Sequence, residues 1–580
     1  YSLGVMLYEL ITGVMPFKAE TREEWINVHI SQIAKPPHEI VTTVPRTVSD
    51  MIMKLLAKSP DERYQSAGGL LYDLKKCRNQ LANTGEIHSF RIGLGDVSGY
   101  FISPKKLVGR ETEKRFLADA LARVTGGKSE TILVIGDPGI GKTMLVEKSL
   151  RHAVGEKGFF ISGKFDQLKS NIPYAPFASA FGELIRQLMT KSEKELNEWK
   201  KAIQYALGRR GAVIAQVIPE LEWVIGKQQP VDELPPNEAQ NRFLMVFRDF
   251  VKVFARANHP LVIFIDDLQW ADYSSLKLFK YLSQEANLRN TLFIGALRDN
   301  ELNEDHPLKE FLDRINTGEL NRKCSILNLK PLQNKDFSEI LSGCLHVADR
   351  SLNILSDALF RITGGNPLFL GQLLNHIFEK RLVYFDQHEL KLDIDAINAL
   401  RLGDDVLELL VQKLDRLPEE TRKILKVAAC IGNRFDIHAV SKVCCKTADE
   451  TISCLMPAVA ERLIVPAKPL QTSMTQGPDD EYVFEFLHDR VQQAVYLPIP
   501  VQEKKEKHIA IGKIYLEHGN IEDRIMFIMD HFNRSLDLIE CGEERKKLAE
   551  YNLMAGRKAK IAAAYSSALQ YFRAGKSLLP

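Results

Sequence analysis

The run Gly136-Asp137-Pro138-Gly139-Ile140-Gly141-Lys142-Thr143 sets three glycines, a lysine and a hydroxyl in the order needed to hold a polyphosphate. Glycine tolerates positive φ and close backbone approach, so successive N–H groups can turn inward on the α- and β-phosphates where a helix begins. Lys142 would reach the β- and γ-phosphates as a point charge, and the Thr143 hydroxyl would reach Mg²⁺. The expected ligands are therefore ATP or ADP with Mg²⁺. A glycine-rich turn ahead of an ordinary helix would read similarly in isolation. The flanks favour the phosphate loop, because the apolar β-type run Thr131-Ile132-Leu133-Val134-Ile135 precedes it and a helical pattern from Met144 follows it.

A second constellation is Leu261-Val262-Ile263-Phe264-Ile265-Asp266-Asp267. Five consecutive apolar residues suit a strand buried on both faces of a parallel sheet, and open α/β sheets place ligand groups at the carboxyl ends of their strands. Alone, Asp-Asp after a strand can simply start a turn. Together with the phosphate loop, the two stretches read as Walker A and Walker B motifs. Asp266 is expected to hold Mg²⁺, and Asp267 to polarise the attacking water, although many ATPases of this type carry a glutamate there. The apolar run Thr291-Leu292-Phe293-Ile294-Gly295-Ala296-Leu297 ends in Arg298. By position it matches a sensor strand with Arg298 near the γ-phosphate, the alternative being an arginine that caps a strand end. The candidate catalytic residues are thus Asp267, Lys142 and Arg298, with Thr143 and Asp266 at the metal.

These elements need a modular chain around them. At 580 residues the protein is too long for one hydrophobic core and is expected to divide into about three to five units. With 45% hydrophobic and 26% charged residues it has the composition of globular protein, and no apolar run approaches the length of a membrane span. A formal net charge of +2 gives no whole-chain argument for nucleic acid or anionic lipid. Eight cysteines without a CxxC pair point to reduced thiols and a cytoplasmic location, not to a disulfide framework or zinc site.

Several further stretches carry family resemblances. Tyr1-Ser2-Leu3-Gly4-Val5-Met6-Leu7-Tyr8-Glu9-Leu10-Ile11-Thr12-Gly13, with Met15-Pro16-Phe17 and later Pro60-Asp61-Glu62-Arg63-Tyr64, resembles the last helices of a Ser/Thr protein-kinase C-lobe. The kinase glycine-rich loop, strand lysine, HRD aspartate and DFG aspartate are not in this sequence, so no phosphotransfer to protein is expected from it. The resemblance implies an orphaned helical subdomain with exposed apolar surface, in a chain cut from a longer protein. Leu107-Val108-Gly109-Arg110-Glu111-Thr112-Glu113 resembles the entry box of AAA-type and STAND-type ATPases, whose Gly-Arg pair (Gly109 and Arg110) lies by the adenine.

Gly364-Gly365-Asn366-Pro367-Leu368-Phe369-Leu370 resembles the STAND GxP element, in which Pro367 would pack on the adenine from a helical lid; a turn between helices is the competing reading. Phe486-Leu487-His488-Asp489-Arg490 resembles a winged-helix segment whose histidine, His488, senses the ADP β-phosphate, the competing reading being a helix-cap histidine. Gly556, Ala568, Phe572 and Gly575 fit the small-and-aromatic pattern of tetratricopeptide (TPR) repeats.

The chain is accordingly expected to be multidomain: a kinase C-lobe fragment (1–82), a linker (83–106), an α/β P-loop NTPase core with a parallel sheet (107–325), a helical lid (326–405), a winged helix (406–500) and the start of TPR-like repeats (501–580). It resembles the STAND/AAA-type ATPase module of hybrid proteins that join a Ser/Thr kinase, an ATPase, a GAF domain and a sensor histidine kinase. That resemblance implies an ATP-hydrolysing signalling switch. Its partners would be ATP, proteins bound through the helical repeats, and kinase and histidine-kinase modules outside this chain, with a nucleotide-dependent homo-oligomer also open. The alternatives are a nucleotide-stabilised scaffold without turnover and an origin-recognition-like ATPase on nucleic acid. The near-neutral charge argues against the latter.

Overall fold

The computed structural model describes residues 1–18, 21, 25, 28–29, 32–58, 62–64, 67–90, 92–93, 107–155, 158–169, 171–257, 259–285, 287–302, 306–319, 323–345, 350–380, 382–386, 389–400, 411, 413–467, 483–517, 521–540 and 542–579. Parts of the kinase-like stretch (59–61 and 65–66), most of the expected linker and the polar loop at 468–482 lie outside the described residues. The contacts divide the chain into two compact units, residues 1–109 with 331–401 and residues 110–330 with 402–580.

In the first unit, the helix Ser2–Thr12 ends where Gly13 turns left-handed at φ 72° and returns its N–H to the Glu9 carbonyl. A Cβ on Gly4 would lie 2.7 Å from the Leu55 Cβ, so glycine is what lets this helix approach Arg46–Leu55. Tyr8, Phe17, Ala34, Ile52 and Leu56 form the small core behind it, and the Tyr8 hydroxyl donates to the Lys35 carbonyl at 2.7 Å. The opposite face carries Leu3, Met6 and Leu10, the last 77% exposed. The same unit holds the helices Asn334–Leu345, Arg350–Thr363 and Pro367–Glu379 and the antiparallel hairpin Val383–Asp386 with Glu389–Leu392.

The second unit is built on a five-stranded parallel sheet of β1 (Ser129–Ile135), β2 (Phe159–Lys164), β3 (Leu261–Asp266), β4 (Thr291–Leu297) and β5 (Cys324–Asn328), in the order β2-β3-β4-β1-β5. The apolar runs of β3 and β4 are buried along their whole length, as their unbroken hydrophobicity demands. Parallel register brings the carboxyl ends of β1 to β4 to one edge, with Lys164 opposite Asp266. Between β2 and β3 the chain inserts helices, among them Ala175–Met189 and Pro236–Phe254. Aromatic packing joins this pair, with Phe181 lying 5.5 Å from Phe247 and 5.3 Å from Phe250 between ring centroids.

A winged-helix arrangement follows. Helices Glu419–Ile431, Ile437–Val443 and Ala448–Ala460 precede an antiparallel sheet in which Val483–Phe486 lies between Arg434–Asp436 and Ile464–Pro466. The sequence pattern predicts only Ile464–Pro466 and Val483–Phe486 as strands, because Arg434–Asp436 is three residues long and too short to show a period. The helix Asp489–Tyr496 closes this part. Four helices then run as two antiparallel-type pairs, Val501–Glu517 with Ile521–Asn533 and Gly542–Ile561 with Tyr565–Ser577. A Cβ on Gly512 would lie 2.7 Å from the Phe532 ring and one on Gly556 2.9 Å from Phe572 Cζ, so each glycine makes room for an aromatic of its partner helix.

His508 is buried inside the first of these pairs, its Nδ1 2.9 Å from His531 Nδ1 and its Nε2 3.2 Å from the Tyr496 hydroxyl. Burial, reinforced by Arg534 and Lys504, pushes its pKa down to about 3. An unfolded histidine titrates near about 6.5, so between that pH and about 3 the unfolded chain binds the extra proton. The stability His508 contributes is complete above pH ~6.5 and is lost as pH falls toward 3. In urea unfolding at pH 7 and pH 5, the stability advantage of the wild type over His508→Gln should shrink by about 1–2 kcal/mol at the lower pH. Equal pH dependence of the two proteins would show that this histidine is not the source.

Candidate functional site

Asp137 to Gly141 form a tight loop between β1 and the helix Lys142–Val154. Gly139 and Gly141 take φ of 76° and 97°, which favours glycine, and no atom lies within 4 Å of a Cβ placed on Gly141. Gly136 is different: a Cβ there would come 2.9 Å from the Leu329 carbonyl, so its size is fixed by β5's exit. Ile140 is buried under the loop.

Lys142 is 7% exposed and donates to the Gly136 and Asp137 carbonyls at 2.6 and 3.1 Å. Burial, and then the nearby Arg298, lower its pKa against the pull of Asp266, Asp267 and Asp489. The Thr143 hydroxyl donates to Asp266 Oδ2 at 2.5 Å, joining residues 123 positions apart.

Arg110 is buried beside this loop. Its guanidinium donates to the Lys330 carbonyl at 2.7 Å and to the Ile140 carbonyl at 3.2 Å, and it pairs with Glu113 at 3.3 Å. Gly109 and Pro367 belong to the first unit. Gly109 has φ 71° and a Cβ on it would meet the Asp336 side chain. Pro367 is the first residue of its helix, capped by the Asn366 side chain, which accepts from the Leu368 N–H at 3.0 Å.

At the end of β3, Asp266 is fully buried and its pKa is pushed up to about 6, by burial first and then by Asp267. Asp267 adopts φ 54°, a left-handed conformation that aspartate tolerates better than most residues. This turn aims its carboxylate at Gln269 Nε2 (2.9 Å), Lys164 Nζ (3.1 Å) and Arg298 Nη2 (3.4 Å). Arg298, 3% exposed at the end of β4, lies over the Trp270 ring at 5.1 Å. It also binds Glu301 at 2.8 Å and Asp489 through a short pairing to Oδ2. Among the described residues its Nε is a buried donor without an acceptor.

Asp489 opens the last winged-helix helix. Burial alone would raise its pKa; His488, Lys164 and Arg298 instead hold it well below the usual carboxylate range. His488 Nδ1 lies 2.6 Å from Asp489 Oδ1 and 3.1 Å from the Arg490 N–H that it caps. Arg490 completes the cluster by pairing with Glu301 at 3.2 Å.

The second unit thus gathers Arg110, the loop Gly136 to Thr143, Asp266, Asp267, Arg298 and His488 around one edge of the sheet. Sequence reasoning missed Lys164, Gln269, Glu301 and above all Asp489. The sequence singles out the segment Phe486 to Arg490 for its histidine, yet the adjacent aspartate makes the contact with Arg298. Only the pairing of an acid with a strand-end arginine could have signalled it, and that pairing spans 191 positions.

The donor set fits a nucleotide with Mg²⁺. Lys142's acceptors are carbonyls of its own loop that a phosphate oxygen can replace, Arg298 carries an unused buried donor, and Thr143 and Asp266 already share one point in space.

Residues 106–294 match the AAA ATPase domain family. All of the chain aligns, at 28% identity, with 20% of the hybrid signal transduction histidine kinase G of Dictyostelium discoideum. A stretch of 78 residues at the N-terminus, 13% of this chain, is 41% identical to 11% of a probable serine/threonine-protein kinase of Clostridium perfringens. The chain spans 13% to 27% of the length of the histidine kinases it matches. Among solved structures, a Signal Transduction ATPase with Numerous Domains (STAND) protein with a tetratricopeptide repeat sensor, from Pyrococcus horikoshii, aligns with a TM-score of 0.44 and 15% identity over 83% of this chain and 59% of that one. Residues 106–294 thus match the AAA ATPase domain family, in a chain similar throughout to a hybrid histidine kinase and at its N-terminus to serine/threonine kinases.

Proposed function

We infer that the chain is an ATP-binding and slowly hydrolysing switch of the STAND type, here in a closed arrangement, within a hybrid kinase signalling protein. The observation that carries the nucleotide reading is the 2.5 Å hydrogen bond from Thr143 to Asp266, which joins the phosphate loop to the carboxylate of the neighbouring strand end. Lys142 would exchange its two loop carbonyls for phosphate oxygens, and Thr143 with Asp266 would hold Mg²⁺. Bound Mg²⁺ neutralises phosphate charge. Asp267 would orient the attacking water once released from Lys164 and Gln269. Arg110 is assigned to the adenine side, and His488 to the phosphate end.

The switch reading rests on Arg298. A phosphate and the Asp489 carboxylate are both anions suited to the same guanidinium, so a ligand that takes Arg298 weakens the hold on the winged helix. The helical repeats would then relay the change to protein partners and to kinase modules outside this chain. A second reading, a nucleotide-stabilised scaffold without turnover, is favoured by the two partners, at 2.9 and 3.1 Å, that occupy Asp267.

Mg-ATP binding and phosphate release by the whole chain, with Lys142→Ala as control, test the first claim. Binding and turnover should both be lost in the variant; tight binding without turnover in the wild type selects the scaffold, and no binding sinks both readings. If Asp489 holds the closed arrangement, Asp489→Asn should raise the turnover about 3- to 30-fold with Lys142 intact, whereas unchanged turnover would remove the winged helix from control. Stability offers an independent check. Arg298→Met leaves buried carboxylates unpaired and should cost about 3–5 kcal/mol in denaturant unfolding. The double variant Arg298→Met/Asp489→Leu should recover part of that loss.

A further inference from the structure

The loop that follows β2 touches three separate parts of the second unit within eight residues. At its root, Lys164 ends β2 opposite Asp266 and pairs with Asp267 at 3.1 Å, although 39% of its side chain is exposed. Two positions on, Asp166 Oδ2 accepts the Asn433 N–H of the winged helix at 3.1 Å, and Gln167 accepts from Gln493 at 3.1 Å. The Leu168 carbonyl then accepts from Arg534 at 2.6 Å, and Asn171 donates to Asp530 at 2.6 Å. Asp530 lies on the helix Ile521–Asn533, and Arg534 directly follows it.

The loop is also braced. Asp166 Oδ1 accepts the Leu168 N–H at 2.9 Å, so the two side-chain oxygens of one residue fix both the loop's shape and its partner. Its far end is held by the buried Tyr174, whose N–H donates to Ser275 at 2.8 Å. A short backbone tied at both ends transmits a displacement better than a slack one. Lys164 is therefore placed so that the partner it finds at the sheet edge bears on the hydrogen bonds made two to seven residues later.

We propose that the described residues 164–169 and 171 couple the carboxylate at Asp267 to the docking of the helix Ile521–Asn533, with Lys164 as a positioning residue that acts through Asp267. While Lys164 is paired, the loop is drawn to the sheet edge and the helix is clasped. When Asp267 turns to another partner, Lys164 is released and the clasp at Leu168 and Asn171 slackens. In the reverse direction, a partner protein that pulls on this helix frees Asp267. The turnover half of this statement rests on the ATPase reading, and the structural half does not.

The test uses the full chain in two ways. Without nucleotide, hydrogen–deuterium exchange should be roughly threefold or more faster over residues 521–533 in Lys164→Gln, a residue that makes no pairing with that helix, and near wild type in Lys164→Arg. Exchange changes confined to β2 and β3 would overturn the coupling. In steady-state kinetics, Asn171→Ala, remote from the phosphate loop, should change kcat about threefold or more with KM unchanged. An unaltered kcat, with exchange over 521–533 raised, would likewise overturn it. A wild-type chain that hydrolyses nothing would remove the ATPase reading, and the exchange comparison would still decide whether the loop couples.

Discussion

A buried guanidinium sets the terms for the carboxyl edge of the five-stranded sheet. Arg298 cannot give up its charge, so its position at the end of β4 is tenable only while carboxylates surround it. Asp267 follows β3 and Glu301 lies in the turn after β4, but Asp489 comes from the winged helix. The balance extends outward, with Lys142, Lys164, Arg298 and Arg490 facing Asp266, Asp267, Glu301 and Asp489. Removing any member leaves an excess of one sign in a poorly hydrated place, which is why the winged helix and the sheet edge are energetically one object despite their distance in sequence.

What could be read from the sequence follows the same logic of distance. The strands β1, β3 and β4 were legible because a parallel strand buried on both faces must be continuously apolar, and the phosphate loop because its glycines answer to local backbone needs seen in Gly139 and Gly141. The repeat helices were legible from small residues such as Gly556, whose missing side chain is filled by Phe572. All of these are signals contained within a few turns of chain. The strand Arg434–Asp436 escaped because three residues cannot display a period, and its pairing with Val483–Phe486 is a tertiary fact.

The charged residues were harder, since a lysine or aspartate carries no mark of its partner. Lys164 closes a strand as many surface lysines do, and only the register with β3 brings it to Asp267. In the segment Phe486 to Arg490 the histidine drew attention because of its chemistry near neutral pH. The fold uses it differently: His488 caps the helix through the Arg490 N–H and stands against Asp489, and the aspartate reaches Arg298. Local sequence can nominate the segment, but which of its side chains meets the sheet edge is decided by how the helix is docked.

The placement of Asp489 also bears on how a nucleotide would act on the winged helix in the proposed switch. A ligand shifts an equilibrium only by the difference between its affinities for the two states, however tightly it binds. Contacts to the loop Gly136 to Thr143 that were alike in both states would contribute nothing to that difference. In the proposed switch Arg298 would be the group whose partner differs between the states, serving Asp489 in one and a phosphate in the other. Exchange of one anion for another keeps the guanidinium paired throughout, so the transition need not pass through an unpaired buried charge. The same exchange would leave Asp489 to be satisfied by water. The free energy of the switch is thereby reduced to a comparison of two anions at one arginine, a quantity of the few kcal/mol that nucleotide binding can overturn.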